Sequence, residues 1–291
     1  MGRALAHRRA RDLRWMQMNE WTQIRDRAGS IVREDAAFLV VNKPAGVSVM
    51  GERHESDLVR MAEEVGETLI PCHRIDKATS GVVLFAKQQR IQSEVTRQFN
   101  KRTVDKAYLA LVPTDGRPGG LPERGTIDMP LSVGRKNRVR VGAQREDITT
   151  DAPAATEAAH GCWRVPDEKV FTHVKTYPSI THFTRLWADE RHTLLAIEPV
   201  TGRRHQIRVH LAWIGFPIVG DPLFDKQAAA RGERTCLHSW RLAFNATWAG
   251  GERVTVSADP GDDFWTPVAE RLPAGGPAAW LEGPAAGPSS A

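Results

Sequence analysis

Cysteine is scarce in this sequence. Cys72, Cys162 and Cys236 are odd in number and far apart, so the chain shows neither a disulfide framework nor the close spacing of a zinc site. The ten histidines are scattered, and no local stretch gathers a set of Cys/His ligands. We therefore expect no structural metal.

Long apolar runs are also missing. No stretch approaches the roughly 18–20 apolar residues that cross a bilayer. The N-terminal MGRALAHRRARDLRW is basic but lacks the apolar core of a secretory signal. A P-loop and a GxGxxG motif are both absent. These absences favour a cytoplasmic protein that uses no nucleotide cofactor.

Positive charge is present in excess. The formal net charge is +5 and the sequence pI is about 9.3. Basic residues cluster at 7–14, 97–106, 135–145 and 203–208. A single cluster of this kind is usually solvated surface, but several in one chain favour a polyanionic partner such as nucleic acid.

The apolar pattern predicts more strands than helices. FLVV (38–41), VSVM (47–50), GVVLFAK and TVDKAYLALVP are typical of strands, with a proline turn through residues 43–46. SDLVRMAEEVGE, QQRIQSEVTRQFNKR and HQIRVHLAWIG predict helices, the first capped by Ser56 or Asp57. The strands occur in hairpin-like runs. We therefore predict an α+β fold with a mainly antiparallel mixed sheet and flanking helices.

Composition suggests where the main domain begins and ends. We predict a basic N-terminal arm over residues 1–30, one domain over 31–272 and a flexible Pro/Gly/Ala-rich tail over 273–291. Gly, Pro and Asp dominate about 113–178, which predicts a loop-rich insertion in that domain.

Four segments concentrate residues suited to chemistry: VVNKPAGVSVM, HRIDKATSGVVLFAK, DKAYLALV and TGRRHQIRVHLAWIGFPIVGDPLF. Each has an ordinary structural interpretation. The first can be a hairpin turn, and the second a turn in which Asp76 pairs with Arg74 or Lys77. In the third, Tyr108 can be a half-buried strand aromatic. The fourth can be a helix N-terminus that binds any anion.

Together and in this order, the four segments closely resemble the RluA family of RNA pseudouridine synthases. That family carries a Lys-Pro-Gly turn, a His-Arg-Leu-Asp…Thr-Ser-Gly segment, a Lys-x-Tyr strand and a Gly-Arg-x-His-Gln-Ile-Arg-x-His helix start followed by Pro-Ile-x-Gly-Asp. All are present here, with Ile75 in place of the commoner leucine, which is a conservative departure. The resemblance spans about Ile31 to Phe264.

The resemblance implies a cofactor-free isomerase. Conversion of uridine to pseudouridine breaks the C1′–N1 bond, turns the uracil and rejoins it through C5, with no redox change and no energy input. Asp76 would be the catalytic carboxylate, acting by covalent addition or by proton abstraction. Arg208 would keep it ionised and orient it. Tyr108 would stack on the uracil or transfer the proton at C5.

The resemblance also implies contacts with RNA. Arg74 would contact the RNA where the target nucleotide leaves its stack, because a stacked base cannot be reached. Phosphate contacts are expected from Lys43 on the first turn and from the predicted helix start: Arg203, Arg204, His205 and Gln206.

Two other functions stay open at this point. A catalytically silent RNA-binding module could share the fold, although it would be expected to lack Asp76 or Tyr108. A hydrolase with paired carboxylates would need a second acid. Asp221 is its only candidate, and the adjacent Pro222 suggests a turn. Residues 1–30 are too short for an S4 RNA-binding domain. We expect a monomer acting on tRNA or rRNA.

Overall fold

The computed structural model describes residues 20–51, 57–114, 120–134, 138–151, 160–274 and 276–281. The chain forms two compact units. The first consists of Met1–Val104 and Arg241–Asp259, and the second of Asp105–Trp240 and Pro260–Ala291.

Strands make up most of the regular structure. In chain order they are β1 (Ile31–Glu34), β2 (Phe38–Lys43), β3 (Ile70–Pro71), β4 (Ser80–Ala86), β5 (Asp105–Pro113), β6 (Arg124–Asp128), β7 (Leu131–Val133), β8 (Val139–Val141), β9 (Thr149–Thr150), β10 (His160–Arg164), β11 (Thr176–Tyr177), β12 (Ile180–Ala188), β13 (His192–Pro199), β14 (Leu237–Ala246) and β15 (Glu252–Ser257).

The helices are short, apart from one. They are α1 (Glu20–Asp26), α2 (Leu58–Glu63), α3 (Gln89–Lys101), α4 (Gln206–Trp213), α5 (Lys226–Ala230), α6 (Asp262–Trp265) and α7 (Ala278–Leu281). Single 3₁₀ turns lie at Arg145–Asp147, Asp167–Lys169 and Thr247–Ala249, and a longer 3₁₀ segment at Thr266–Arg271. No helix within the described ranges is long and apolar enough to cross a membrane.

The first unit is organised around β4. Strand β2 lies antiparallel between β1 and β4, and β15 lies antiparallel to β14 from Arg241 onward. Every residue of β4 is buried, which explains its continuous apolar run where a half-exposed strand would alternate. Its side chains pack with those of the neighbouring strands and of α3 in one core, which includes Phe38, Leu84, Ile91, Val95 and Phe244.

Two predicted helices of the first unit are present. Asp57 caps α2, because its Oδ1 accepts the backbone N–H of Arg60 at 3.1 Å. Helix α3 buries Ile91 and Val95, which lie on one face because they are four residues apart. The strand predicted over 47–50 is wrong: this stretch forms only an isolated bridge between Ser48 and Asp57.

The second unit contains the larger sheet. Its strands follow the order β5-β13-β12-β6-β10-β9, and neighbouring strands are antiparallel except β6 and β10, which are parallel. A small second sheet has the order β11-β7-β8. One core joins them, with Leu111, Ile127, Leu131, Ile197 and Leu211 among its buried members. The predicted α+β class with a mainly antiparallel sheet is confirmed.

The region 113–178, which the sequence predicts to be a loop-rich insertion, also contains short strands. Within its described residues lie the strands β6 to β11. Ile127, Met129 and Leu131 are at most 2% exposed and belong to the core. These strands are two to five residues long, which is too short to show a clear period-2 pattern between glycines and prolines. Residues 115–119, 135–137 and 152–159 lie outside the described part.

Both predicted ends include residues that pack on the body. In α1, Trp21 has no exposed surface, and Arg25 pairs with Glu34 at 2.8 Å and with Glu67 at 3.2 Å. In α7, the ring of Trp280 stacks on Trp187 with a centroid distance of 4.3 Å. The N-terminal arm and the flexible tail stay predictions for residues 1–19 and 282–291, which are outside the described residues.

Candidate active site

Asp76 occupies a tight turn directly before the buried strand β4. Its side chain is half-buried, and its backbone oxygen accepts the N–H of Thr79 at 3.0 Å. Thr79 and Ser80, which follow, are buried. The carboxylate is therefore attached to a short loop whose far end is fixed in the core of the first unit.

The residues before Asp76 alternate between anchored and exposed. Nε2 of His73 accepts the backbone N–H of Leu84 at 3.0 Å, and the His73 ring stacks on Phe99 with centroids 4.9 Å apart. Ile75 is 8% exposed, whereas Arg74 is exposed. The core thus holds His73 and Ile75, and Arg74 points to solvent, where it can meet a ligand.

The structure corrects the interpretation of Lys43 as a phosphate contact. Its side chain has no exposed surface. The ammonium donates to the backbone oxygens of Pro44 at 2.8 Å, of Val47 at 2.6 Å and of Lys77 at 3.3 Å. An ammonium has three N–H donors, and a group with no surface cannot reach a phosphate. Lys43 instead ties the proline turn to the loop that carries Asp76.

The proline turn makes a second contact with the same loop. The backbone N–H of Gly46 donates to the oxygen of Lys77 at 2.8 Å. Gly46 has a φ of +87°, which favours glycine because other residues are strained there. The oxygen of the residue after Asp76 therefore accepts hydrogen bonds from both Lys43 and Gly46, and this fixes the backbone beside the carboxylate.

Tyr108 belongs to the second unit, in β5. It is half-buried and lies opposite Ile197 of β13 in the antiparallel register. The four residues that follow it, from Leu109 to Val112, are fully buried. The sheet therefore determines where the phenol emerges, which is what a stacking or proton-transferring ring requires.

Arg208 forms a buried ion pair within the second unit. Its Nε donates to Oδ2 of Asp221 at 2.8 Å, and one Nη donates to Oδ1 at 2.6 Å. Arg208 is 4% exposed and Asp221 is fully buried. Two parallel charge-assisted bonds of this kind fix the plane of the guanidinium. Asp221 is therefore a partner of Arg208, and not the second free acid that a hydrolase would need.

Asp221 also builds the turn that Pro222 suggests. Its Oδ1 accepts the backbone N–H of Leu223 at 2.9 Å, and its backbone oxygen accepts those of Phe224 and Asp225. The pairing of Asp221 with Arg208 was not predicted from the sequence. The signal for it was the Gly-Asp-Pro motif, which places an acidic residue at a turn after the helix that carries Arg208.

Gln206 also differs from its predicted role as an RNA contact. It is 3% exposed. Its Oε1 accepts the Thr201 hydroxyl at 2.7 Å and the backbone N–H of Arg203 at 3.0 Å, while Nε2 donates to Ile180 O and to the Thr181 hydroxyl. Because all its polar atoms are used internally, Gln206 shapes the loop before α4 and does not face RNA.

The other residues predicted at this helix start have different exposures. Arg203 and Arg204 are exposed, and His205 is half-buried with a left-handed φ of +56°. Arg203 and Arg204 can therefore reach a phosphate. The loop geometry that presents them is set by Gln206, whose acceptor oxygen holds the N–H of Arg203.

A one-directional chain of hydrogen bonds continues from Gln206 into the core. Its Nε2 donates to the Thr181 hydroxyl, which lies 2.9 Å from Nδ1 of His210, and Nε2 of His210 lies 2.9 Å from the Met129 oxygen. A carbonyl only accepts, so Nε2 carries the ring proton and Nδ1 accepts from Thr181. Burial lowers the pKa of His210 to about 4, so the ring is neutral near pH 7.

This network predicts a pH dependence of stability. An unfolded histidine has a pKa near 6.5, and the folded value is lower, so the unfolded state binds more protons between these values. The contribution of His210 to the free energy of unfolding should be fully present above pH 6.5. As the pH drops to 4, the free energy of unfolding should fall by about 3 kcal/mol. Urea unfolding at several pH values measures this slope.

The matched control is His210→Gln, which cannot titrate. This variant should be less stable at pH 7, because one link of the chain is altered, but its free energy of unfolding should be flatter between pH 4 and 6.5. Equal slopes for the two proteins would contradict the assignment of this pH dependence to His210.

The cysteines do not offer a competing nucleophile in the described residues. Burial raises the pKa of Cys72 and of Cys236 to about 12, so both stay protonated thiols. Burial also raises the pKa of Cys162. In the same ranges, no group of three or more His, Cys, Asp or Glu side chains is arranged to hold a metal ion.

Comparison with known proteins places these motifs in one family. The family model for RNA pseudouridylate synthase matches residues 37–213. The dual-specificity RNA pseudouridine synthase RluA of Pasteurella multocida (strain Pm70) is 34% identical over 79% of this chain and 92% of its own length. The tRNA pseudouridine synthase C of Vibrio parahaemolyticus is 32% identical over 83% of this chain and 94% of its own length.

A solved structure supports the fold independently. Human RNA pseudouridylate synthase domain containing 4 matches with a TM-score of 0.62 at 22% sequence identity, covering 84% of this chain and 93% of that one. The matched family model includes Asp76, Tyr108 and Arg208. The resemblance seen in the motifs is confirmed, and the chain belongs to the RluA family of RNA pseudouridine synthases.

Proposed function

We propose that this chain converts a specific uridine of tRNA or rRNA to pseudouridine, with Asp76 as the nucleophile and without a cofactor. Family membership supports the reaction. Of the relatives described above, one is named as a dual-specificity RNA pseudouridine synthase and one as a tRNA pseudouridine synthase, which supports RNA as the substrate and tRNA as one class of it. The protein acts as a monomer in the cytoplasm, and RNA is its partner.

The observation that carries the proposal is the placement of Asp76. Its carboxylate is half-buried, on a turn whose backbone is bonded to Lys43, Gly46 and Thr79. A nucleophile needs a fixed approach to the reacting carbon, and a short loop tied on both sides limits the motion of its side chain. A merely solvated surface acid would not need this support.

The proposed reaction balances as an isomerisation. The Asp76 carboxylate adds to C1′ of the ribose while the C1′–N1 bond breaks. The uracil turns, C5 forms a bond to C1′ and the carboxylate leaves. The proton on C5 is lost and N1 gains a proton, so no atom enters or leaves overall. Tyr108 stacks on the uracil and transfers the C5 proton, and Arg208 stabilises the negative charge of the Asp76 carboxylate and orients it.

Arg74 has a separate role in the proposal. The target base must leave its stack, at a cost of a few kcal/mol. The guanidinium of Arg74 is exposed two residues before Asp76, and there it contacts the RNA at the position that the nucleotide vacates. Arg203 and Arg204, also exposed, contact phosphates.

The test is incubation of total RNA with the purified protein, followed by carbodiimide mapping of pseudouridines. We expect new pseudouridines at one or a few positions of tRNA or rRNA. Released free uracil would instead support a hydrolase. Unchanged RNA that still binds the protein would support a silent binding module. Sequencing pseudouridines in cells with and without the gene then names the RNA and the position.

A further inference from the structure

Tyr177 carries two cations on its ring. The ammonium of Lys175 lies 5.3 Å from the ring centroid, and the guanidinium carbon of Arg203 lies 5.0 Å from it. Tyr177 is one of only two tyrosines in the chain, and Tyr108 is the other. It is half-buried, whereas both cations are exposed. All three residues belong to the second unit. Lys175 directly precedes β11, Tyr177 ends it, and Arg203 lies in the loop before α4.

The two cations form no ion pair with a residue of the described ranges. Across the described ranges, no carboxylate forms an ion pair with Lys175 or Arg203, and Arg204 beside them is also unpaired. Like charges that share one ring repel each other, and each cation–π contact recovers only about 0.5–1 kcal/mol at an exposed site. An anion that binds both cations would remove the repulsion.

The backbone under these side chains is fixed. Tyr177 pairs with Leu131 in the small sheet, and its oxygen accepts the buried Ser179 hydroxyl at 2.9 Å. On the other side, the N–H of Arg203 is held by Gln206, which is bonded in turn to Thr181 and His210. Ligand binding therefore does not have to order this backbone, which lowers the entropy cost of binding.

We propose that Lys175, Tyr177 and Arg203 form a binding site for a phosphodiester of the substrate RNA. Arg203 was expected to contact RNA from its motif, whereas Lys175 and Tyr177 lie outside the four motifs. A phosphate between the two cations accepts charge-assisted hydrogen bonds from both, and the tyrosine ring keeps the side chains extended for it. The inference rests on the proposed function only in that RNA is the substrate.

Salt dependence tests the proposal, because each neutralised phosphate releases condensed counterions. The slope of log K against log salt concentration changes by about 0.7–0.9 per phosphate contact. We would measure binding of fluorescently labelled bulk tRNA between about 50 and 200 mM KCl. The double variant Lys175→Gln/Arg203→Gln should bind more weakly, with a slope shallower by about 1. Tyr177→Phe, which keeps the ring, should bind like the unaltered chain.

Arg191→Gln is the control. Arg191 is an exposed cation in the turn between β12 and β13, in the same unit and outside the basic clusters of the sequence. Strand β13 separates it from the loop that carries Arg203, because Arg191 precedes this strand and Arg203 follows it. Its loss removes one positive charge but should leave the slope unchanged.

An unchanged slope in the double variant would overturn the proposal, and so would an equal loss of slope in Arg191→Gln. Equal melting temperatures would show that the variants are folded. The outcome is independent of the proposed catalysis, because binding is measured without turnover. If the unaltered chain makes no pseudouridine, the proposed function fails. The salt slopes still show whether Lys175 and Arg203 bind a phosphate of RNA.

Discussion

Replacing Asp76 with asparagine is expected to lower the rate of pseudouridine formation by about 10³-fold or more. Asparagine has nearly the same shape but cannot carry the negative charge or form the covalent bond to C1′. The loop should keep its conformation, because its contacts to Lys43, Gly46 and Thr79 use backbone atoms of the loop. The dissociation constant for RNA should therefore change by a few-fold at most. Single-turnover assays with an excess of protein measure the rate without product release.

Glu63→Gln provides the control for loss of one negative charge in the same unit. Glu63 is exposed at the end of α2, and its substitution should leave the rate near that of the unaltered chain. An Asp76→Asn protein that still forms pseudouridine at a near-normal rate would refute the role of Asp76 as nucleophile. Asp76→Ala should be at least as inactive as Asp76→Asn.

The second large effect is expected from Arg208→Met. This change leaves the carboxylate of Asp221, which has no exposed surface, without its cation. Removal of one partner of a buried ion pair lowers the free energy of unfolding by about 3–5 kcal/mol. The double variant Arg208→Met/Asp221→Asn should recover much of that loss, because the neutral amide can still accept from the N–H of Leu223. Urea unfolding of the unaltered chain, of Arg208→Met, of Asp221→Asn and of the double variant measures the coupling.

The same variants separate stability from catalysis. If Arg208 acts in the reaction, the double variant should regain stability but not the rate of pseudouridine formation. Recovery of the rate together with stability would show that Arg208 only holds the structure. Arg231→Met is the matched surface control: its ion pair with Glu233 is exposed, so its loss should leave the free energy of unfolding nearly unchanged.

Elements with strong local signals could be predicted from the sequence. The apolar run of β4 is long and uninterrupted, and α3 places Ile91 and Val95 on one face. Asp57 is a favourable cap directly before α2. Each of these depends on neighbours within a few residues along the chain, so no knowledge of the tertiary structure was needed.

Long-range partners could not be predicted in the same way. Lys43 looked like a surface cation, because its sequence context is a proline turn, and only the fold shows that β2 carries its side chain into the interior. Gln206 was assigned to RNA because of the arginines next to it, but its acceptors and donors come from Thr201, Ile180 and Thr181. The direction of a polar side chain depends on packing that the local sequence does not contain.

The short strands of the second unit show a different limit. β7 and β8 have three residues each, so a period of two appears barely once before a turn interrupts it. Their place in the core follows from pairing across the small sheet, which joins residues far apart in the chain, such as Leu131 and Tyr177.

The hydrogen bonds of Lys43 determine which substitutions the protein can tolerate around it. The ammonium donates to three main-chain oxygens, at Pro44, Val47 and Lys77. Every amino acid supplies such an oxygen, so the side chains at 47 and 77 can vary during evolution without removing an acceptor. The lysine itself has no such freedom, because neither a shorter amine nor a guanidinium reproduces three donors at one point.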